Sequence, residues 1–211
     1  TAAARQLQRS ARVEKLLAVV LSVGNYLNGG TARGRADGFE LETLLKIGEL
    51  KSSQDGTLLD FIVSHLERDC PDVMMALYAP DGEFESVHRA RRHKMADMAE
   101  EAVGLVSQAA AQQQLLERLV ADGDGMLAAV AKQLSNRLPQ LREVAAAFEA
   151  WRQEYTSLCV WFRVDTKTLR PTDEFFGIWD TFLTGLKKAQ QAAVSRQQSR
   201  SVTPRRASSQ P

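Results

Sequence analysis

Three histidines, two cysteines and one glycine-rich stretch are the residues of this 211-residue chain whose types could support metal, nucleophilic or phosphate chemistry. His65, His88 and His93 share no ligand spacing with cysteine or carboxylate. His88 and His93 are five apart, so they do not stack at i, i+4 on one helix face. They read as helix-surface histidines. Cys70 precedes Pro71 and Cys159 sits inside a helical repeat. Neither has a neighbouring histidine or helix N-terminus to lower its pKa, so both read as small buried or half-buried side chains. Two cysteines without a C-x-x-C spacing cannot build a disulfide framework, which favours a reducing compartment. The run Gly29–Gly38 lacks the Gly-Lys-Ser/Thr ending of a phosphate loop, and no strand pattern precedes it. No catalytic constellation, metal set or cofactor motif emerges. The residues point to an interaction protein rather than an enzyme.

Charge and composition narrow the partners. Lys plus Arg number 27 and Asp plus Glu 26, a net charge of +1, so no whole-domain basic field is available for nucleic acid. Cations are nevertheless uneven. Residues 187–211 hold Lys187, Lys188, Arg196, Arg200, Arg205 and Arg206 and no acid. Rich in Gln and Ser and poor in large apolar side chains, the stretch 193–211 reads as a basic disordered tail beginning after Ala192. Its Arg205-Arg206-Ala207-Ser208 resembles a basic-directed kinase site. The run His88-Arg89-Ala90-Arg91-Arg92-His93-Lys94 is the one dense cationic patch before the tail. Two readings stay open for it: a solvated helix face, or a contact for a polyanion or an acidic protein surface. No apolar run reaches the roughly 18 residues of a membrane span, and no leader pattern is visible. The chain opens on Thr1, which reads as a piece of something longer.

The elements that must position these residues are helical throughout. Leu7, Ala11, Leu16, Leu17, Val20, Leu21 and Val23 predict one helix over about 3–28. Four glycines in Gly29–Gly38 predict a loop. Leu41, Leu44, Leu45 and Ile47 begin a second helix, and Thr57 is the candidate N-cap of a third reaching Leu66. Pro71 and Ala79-Pro80-Asp81-Gly82 then punctuate the chain. From Glu83, Phe84, Met95, Met98, Ala102, Leu105, Ala109, Leu116 and Leu119 follow three-and-four spacing without a proline. A break is expected at Asp122–Gly125. Beyond it Leu127, Leu134, Leu141, Phe148, Tyr155 and Phe162 recur every seven residues. Val130, Val144, Trp151 and Leu158 form a second row, with Arg137 its misfit. Such a repeat is the seam of two long helices packed together. Arg91 would fall on that seam, so the register must shift or the seam must open there. Pro139 should start or kink a helix. A closing helix runs from Thr172 to about Ala192 and buries Phe175, Phe176, Ile178, Trp179, Phe182 and Leu186. No strand pattern is present. The fold class is all-α, elongated, with a long antiparallel coiled-coil section.

One segment is more specific than helix packing requires. It reads Gly24-Asn25-Tyr26-Leu27-Asn28-Gly29-Gly30, then Gly38-Phe39-Glu40-Leu41, Leu44-Leu45-Lys46-Ile47, Lys51 and Thr57-Leu58-Leu59-Asp60-Phe61. This resembles the signature of the formin homology 2 domain: G-N-x-x-N, a glycine-rich loop, G-F-x-L-x-x-L-x-K-[LI], a lysine, then T-L-L. Glu174-Phe175-Phe176 resembles the E-F-F of the family's closing helix. Phe162-Arg163-Val164 departs from the Phe-Gly-Glu found in many members. The resemblance covers about residues 10–190 and only the C-terminal half of such a domain. It implies a partial domain over 1–192: the end of the knob and the post region over 1–82, the coiled coil over 83–162, and the closing post helix over 163–192.

What the resemblance implies is a head-to-tail dimer that nucleates actin filaments and stays on the growing barbed end, in the cytoplasm at the actin cytoskeleton, without a cofactor. Gly24, Asn25, Tyr26, Asn28, Gly38, Phe39 and Leu41 are the expected contacts for the dimer partner's lasso, the N-terminal segment missing here. An apolar groove near Tyr26 and Phe39 is expected to be exposed. Lys51, with Lys46 beside it, matches the position at which family members contact actin. Two other readings stand beside it: a coiled-coil adaptor without actin activity, and a polyanion or microtubule binder using the His88–Lys94 patch and the basic tail.

Overall fold

The computed structural model describes residues 2–52, 56–79, 82, 84–120, 125–164 and 169–202. Nine helices and one two-stranded ribbon follow one another among them: α1 Ala2–Arg9, α2 Ala11–Leu27, α3 Thr43–Glu49, β1 Lys51–Ser52, β2 Gly56–Thr57, α4 Leu58–Asp69, α5 Pro71–Tyr78, α6 Glu85–Ala90, α7 Met95–Val120, α8 Gly125–Trp161 and α9 Thr172–Val202. The strands pair antiparallel, Lys51 opposite Thr57 and Ser52 opposite Gly56. Two-residue strands carry no propensity signal of their own, and the class remains all-α.

Local chemistry explains the boundaries, including those the sequence reading placed elsewhere. The single helix expected over 3–28 is two. The Ser10 hydroxyl accepts from the amides of Arg12 and Val13 and so caps a new helix where periodicity alone shows no break. The loop after α2 begins where expected: Asn28 closes the helix by donating its side-chain amide to Gly24 O at 2.8 Å. Thr57 caps α4 as expected. It forms a capping box, its hydroxyl accepting from Asp60 N and its amide donating to the Asp60 carboxylate at 2.7 Å. Pro71 does more than punctuate. It occupies the first turn of α5, where a missing amide costs nothing.

The long apolar stripe expected from Glu83 is interrupted. Residues 91–94 separate α6 from α7, so the seam opens at Arg91 rather than running through it. Thr172 holds this break: its hydroxyl donates to His93 O and accepts from Met95 N. Beyond it, α7 and α8 pack as an antiparallel pair. On α7 the seam is Met95, Ala99, Ala102, Val106, Ala109, Gln113, Leu116 and Val120, all buried or half-buried. Met98, Leu105 and Leu119, expected on it, lie one position off and are exposed. On α8 Leu127, Leu134, Leu141 and Phe148 are half-buried on the seam as expected, whereas Tyr155 and Phe162 carry the row into the core against α9. The second row of α8 changes character: Leu138, not Arg137, is the buried residue at mid-length. The helix continues through Pro139, whose side chain is exposed.

The core lies below the hairpin, where α2, α4 and α5 meet the base of α8 and the first half of α9. Leu16, Ile62, Leu66, Leu158, Phe175 and Trp179 are essentially fully buried there. Each such side chain contributes about 1.5–3 kcal/mol over an exposed position. A run of aromatic contacts ties α8 to α9. Trp151 stacks on Tyr155 with centroids 5.5 Å apart, Tyr155 meets Phe175 edge-on at 5.7 Å, and Phe162 bridges Phe175 and Trp179 at 5.6 Å each. The α9 helix does not stop near Ala192 but continues to Val202, with Arg196 donating to Asp60. Arg196 ties this extension to α4, and its Gln and Ala residues are compatible with helix, so residues 193–202 continue a helix where a tail was expected. Residues 203–211 with their Arg205–Ser208 motif, Pro80 and Asp81, and the turn expected at 122–124 lie outside the described residues. Among the described residues no helix is long and apolar enough to cross a membrane.

Candidate partner-binding groove

The glycine-rich loop is pinned from its own helix. The Asn25 side chain donates to Ala36 O at 2.9 Å and accepts from Ala36 N at 2.8 Å, imitating a two-bond backbone pair. This clip sets the direction in which Asp37, Gly38 and Phe39 leave the loop. Next to them a groove of about 630 Å³ opens between three elements: Leu17, Ala18 and Leu21 of α2, the segment Asp37–Leu41, and Trp161, Phe162 and Arg163 at the end of α8. Its walls are apolar and its rim carries Asp37, Glu40 and Arg163.

The residues expected to serve one contact divide into separate roles. Gly38 and Phe39 line the groove, Phe39 half-buried. Leu41 also lines it but is only 4% exposed, so most of its side chain belongs to the core. Asn25 and Asn28 are engaged with the chain's own backbone and shape the loop and the helix end. Tyr26 stands outside the groove on the last turn of α2, 79% exposed. A Cβ on Gly24 or on Gly38 would meet nothing within 4 Å. Neither glycine is therefore required by this chain's own packing.

Leu17, Leu21, Trp161 and Arg163 belong to the groove and were not among the residues expected at the partner contact. Trp161 carried a signal. It sits beside Phe162 but off the heptad seam, and a large aromatic off the seam has to be covered by something else. Arg163 stands where the Phe-Gly-Glu pattern has glycine, and the backbone there is one that glycine adopts readily. Its φ is 53°, the left-handed region that favours glycine, and it ends α8 by donating from its amide to Val160 O, while Val164 N reaches back to Cys159 O.

Of the expected cations, Lys46 is exposed in the last turn of α3, and Lys51 is placed by its backbone in β1. The His88–Lys94 patch spans the break between α6 and α7. The buried Asp180 of α9 engages His88 Nδ1 at 2.7 Å and also the Arg91 guanidinium, and Arg92 lies within 3.1 Å of His88 Nε2. Part of that patch is thus turned inward. Burial pushes the Cys159 thiol up, against the smaller opposing effects of Tyr155 and Arg170, so it stays protonated. Among the described residues no three His, Cys, Asp or Glu side chains gather to hold a metal ion.

A family model described as Formin Homology 2 Domain matches residues 1–187. The chain belongs to the formin homology 2 family. Curated relatives agree with this. Disheveled-associated activator of morphogenesis 2 from Gallus gallus is 30% identical over 195 residues, 90% of this chain and 18% of that protein. Disheveled-associated activator of morphogenesis 1 from Homo sapiens is 30% identical over 189 residues, 87% of this chain and 17% of that protein. Formin-F from Dictyostelium discoideum is 37% identical over 95 residues, 44% of this chain and 8% of that protein. The chain spans less than a fifth of the length of these relatives. Within the formin homology 2 match lie the pinned loop, the groove, the ribbon bearing Lys51, the hairpin and the aromatic joint between α8 and α9.

Proposed function

We propose that this chain is the C-terminal part of an actin-assembly domain acting as a head-to-tail dimer. The groove between α2, Gly38–Leu41 and the end of α8 receives the N-terminal segment of a partner subunit, and Lys51 and Lys46 present positive charge to the acidic surface of actin. The domain holds actin subunits at a filament's barbed end and steers their addition through binding alone.

The observation that carries this reading is the groove itself. An apolar-walled channel with Phe39 and Trp161 in its sides suits an aromatic or aliphatic anchor from another chain. Gly38 lines the groove and Gly24 follows Leu21, a groove residue, along α2; neither has a packing reason of its own to be glycine, which leaves room for close approach of a second backbone. Neither Lys46 nor Lys51 lines the groove, so partner binding and actin binding can be separated by substitution.

The test is elongation of pyrene-labelled actin from preformed seeds, with this chain compared against a polypeptide extended upstream through the partner-binding segment. Altered barbed-end growth by the extended protein, lost on Lys51→Ala with the dimer intact by sedimentation, is the expected result. Loss of the dimer in that variant would move Lys51 to the subunit contact. Unaltered growth with every version would remove the actin assignment.

A further inference from the structure

The ribbon that carries Lys51 is too short to hold itself. It consists of two residue pairs, Lys51 opposite Thr57 and Ser52 opposite Gly56, and an isolated two-stranded hairpin is marginal in water. At its base the Leu58 amide donates to Leu50 O at 3.0 Å. Where the backbone of Lys51 stands therefore depends on what fixes Thr57.

Thr57 has two duties. It is the last residue of β2 and the N-cap of α4, so the ribbon and the capping box share one residue. One oxygen of Asp60, Oδ2, accepts from the Thr57 amide at 2.7 Å and from its hydroxyl at 2.8 Å. The other, Oδ1, accepts from the guanidinium of Arg196. A carboxylate held through one oxygen is free to swing about its bond to the chain. Held through both, it has a fixed orientation.

Arg196 is brought there by the course of α9. Gln190 donates to Glu67 at 2.8 Å and Arg196 donates to Asp60, so partner numbers fall along α4 as they rise along α9. The two helices are antiparallel. Six residues of α9 and seven of α4 span about 9 Å and about 10 Å, so both contacts lie on one line of packing. Arg196 Nε also donates to Ala192 O at 3.2 Å, which steadies the side chain on its own helix. A cation beside a helix N-terminus is unfavourable by itself, and the Asp60 carboxylate offsets that here.

We propose, resting on the reading of Lys51 as an actin contact, that Arg196 is a positioning residue for Lys51, acting through Asp60 and Thr57. The last turns of α9 thereby set how firmly the ribbon presents its lysine, although Arg196 and Lys51 are 145 residues apart.

Amide exchange in the 211-residue chain tests the coupling, and seeded pyrene-actin growth with the upstream-extended polypeptide tests its consequence. Circular dichroism establishes that each variant folds. In Arg196→Gln the Leu58 amide should exchange about fivefold faster, with Leu66 in the interior of α4 unchanged. Arg196→Lys should recover most of the protection. Arg152→Gln, which removes an exposed ion pair on α8, should change nothing at Leu58. In an Asp60→Asn background Arg196→Gln should add no further effect. Barbed-end binding should weaken about threefold in Arg196→Gln and no further when that change is added to Lys51→Ala. Unchanged exchange at Leu58 overturns the proposal, and so does equal acceleration at Leu58 and Leu66, which would be general loosening of α4. Actin binding that responds to Lys51→Ala but not to Arg196→Gln overturns it as well. A loosened ribbon with actin growth indifferent to both substitutions would instead remove the actin reading of Lys51 and leave the coupling standing.

Discussion

Asn25 and Ala36 are joined by two hydrogen bonds, one in each direction, across eleven residues of chain. A single side chain thus substitutes for a strand partner, and the path of the loop into Phe39 depends on it. Asn25→Ala removes both bonds and Asn25→Asp keeps only the acceptor. The amide of Ala36 should exchange with solvent fastest in the alanine variant and at an intermediate rate in the aspartate variant. Partner binding at the groove should weaken in the same order, while global stability falls by only about 1 kcal/mol, the usual net value of exposed bonds.

Substitution at Gly24 can separate folding from the proposed partner binding. It lies inside α2, and an added Cβ meets nothing. Gly24→Ala should raise thermal stability, by roughly 0.5–1 kcal/mol, because alanine is the better helix former. In a dimer-competent polypeptide the same change should raise the dimer dissociation constant. A stable variant with an unchanged dimer would place the partner elsewhere.

Arg163 sustains a left-handed conformation at the end of α8. Arg163→Gly should therefore stabilise the fold, by about 0.5–1 kcal/mol, a non-glycine residue being strained there and glycine losing part of the gain to chain entropy. Thermal unfolding of the two proteins checks this. A decrease in stability would mean that contacts of the arginine outweigh the strain.

Asp60 makes stability depend on pH. Desolvation raises its pKa, but the amide and hydroxyl of Thr57 and the guanidinium of Arg196 outweigh that, and the carboxyl sits below its ordinary value. A depressed carboxyl contributes stability above its unfolded pKa of about 4, and the contribution is lost as pH falls through the folded value. Asp60→Asn should cost about 1 kcal/mol in urea unfolding at pH 7, the size of a helix cap. The gap to the unsubstituted protein should close towards pH 3. A gap independent of pH would assign the effect to packing.

Thr172 locks the joint between the hairpin and the body by bonding both His93 O and Met95 N. Thr172→Val keeps the shape of this buried residue and removes both bonds. Unfolding should become easier, by about 1–3 kcal/mol, since two backbone groups lose their partner. Exchange should quicken at the Met95 amide before it does at Ala102.

Much of this molecule was written in local pattern. The capping box at Thr57, the loop after Asn28, the seven-residue row from Leu127 to Phe162 and the apolar face around Phe175 and Trp179 each rest on interactions within a few residues or on a repeat. Periodicity reports them directly. Of the motif's residues, Gly38, Phe39 and Leu41 line the groove, whereas Gly24, Asn25, Tyr26 and Asn28 do not.

Tertiary structure decided what periodicity treats as equivalent. Arg91 continues an apolar stripe in sequence, but the buried Asp180, 89 residues away, and Thr172 hold an open break there. Val144 and Trp151 occupy the same row, and the gathering of α1, α6 and α9 around Trp151 distinguishes them. Trp161 becomes part of a groove because α2 and the pinned loop come to stand opposite it. Helical pattern states which face is apolar. Which neighbour covers that face depends on elements distant in the chain, and the sequence spacing of one helix holds no record of them.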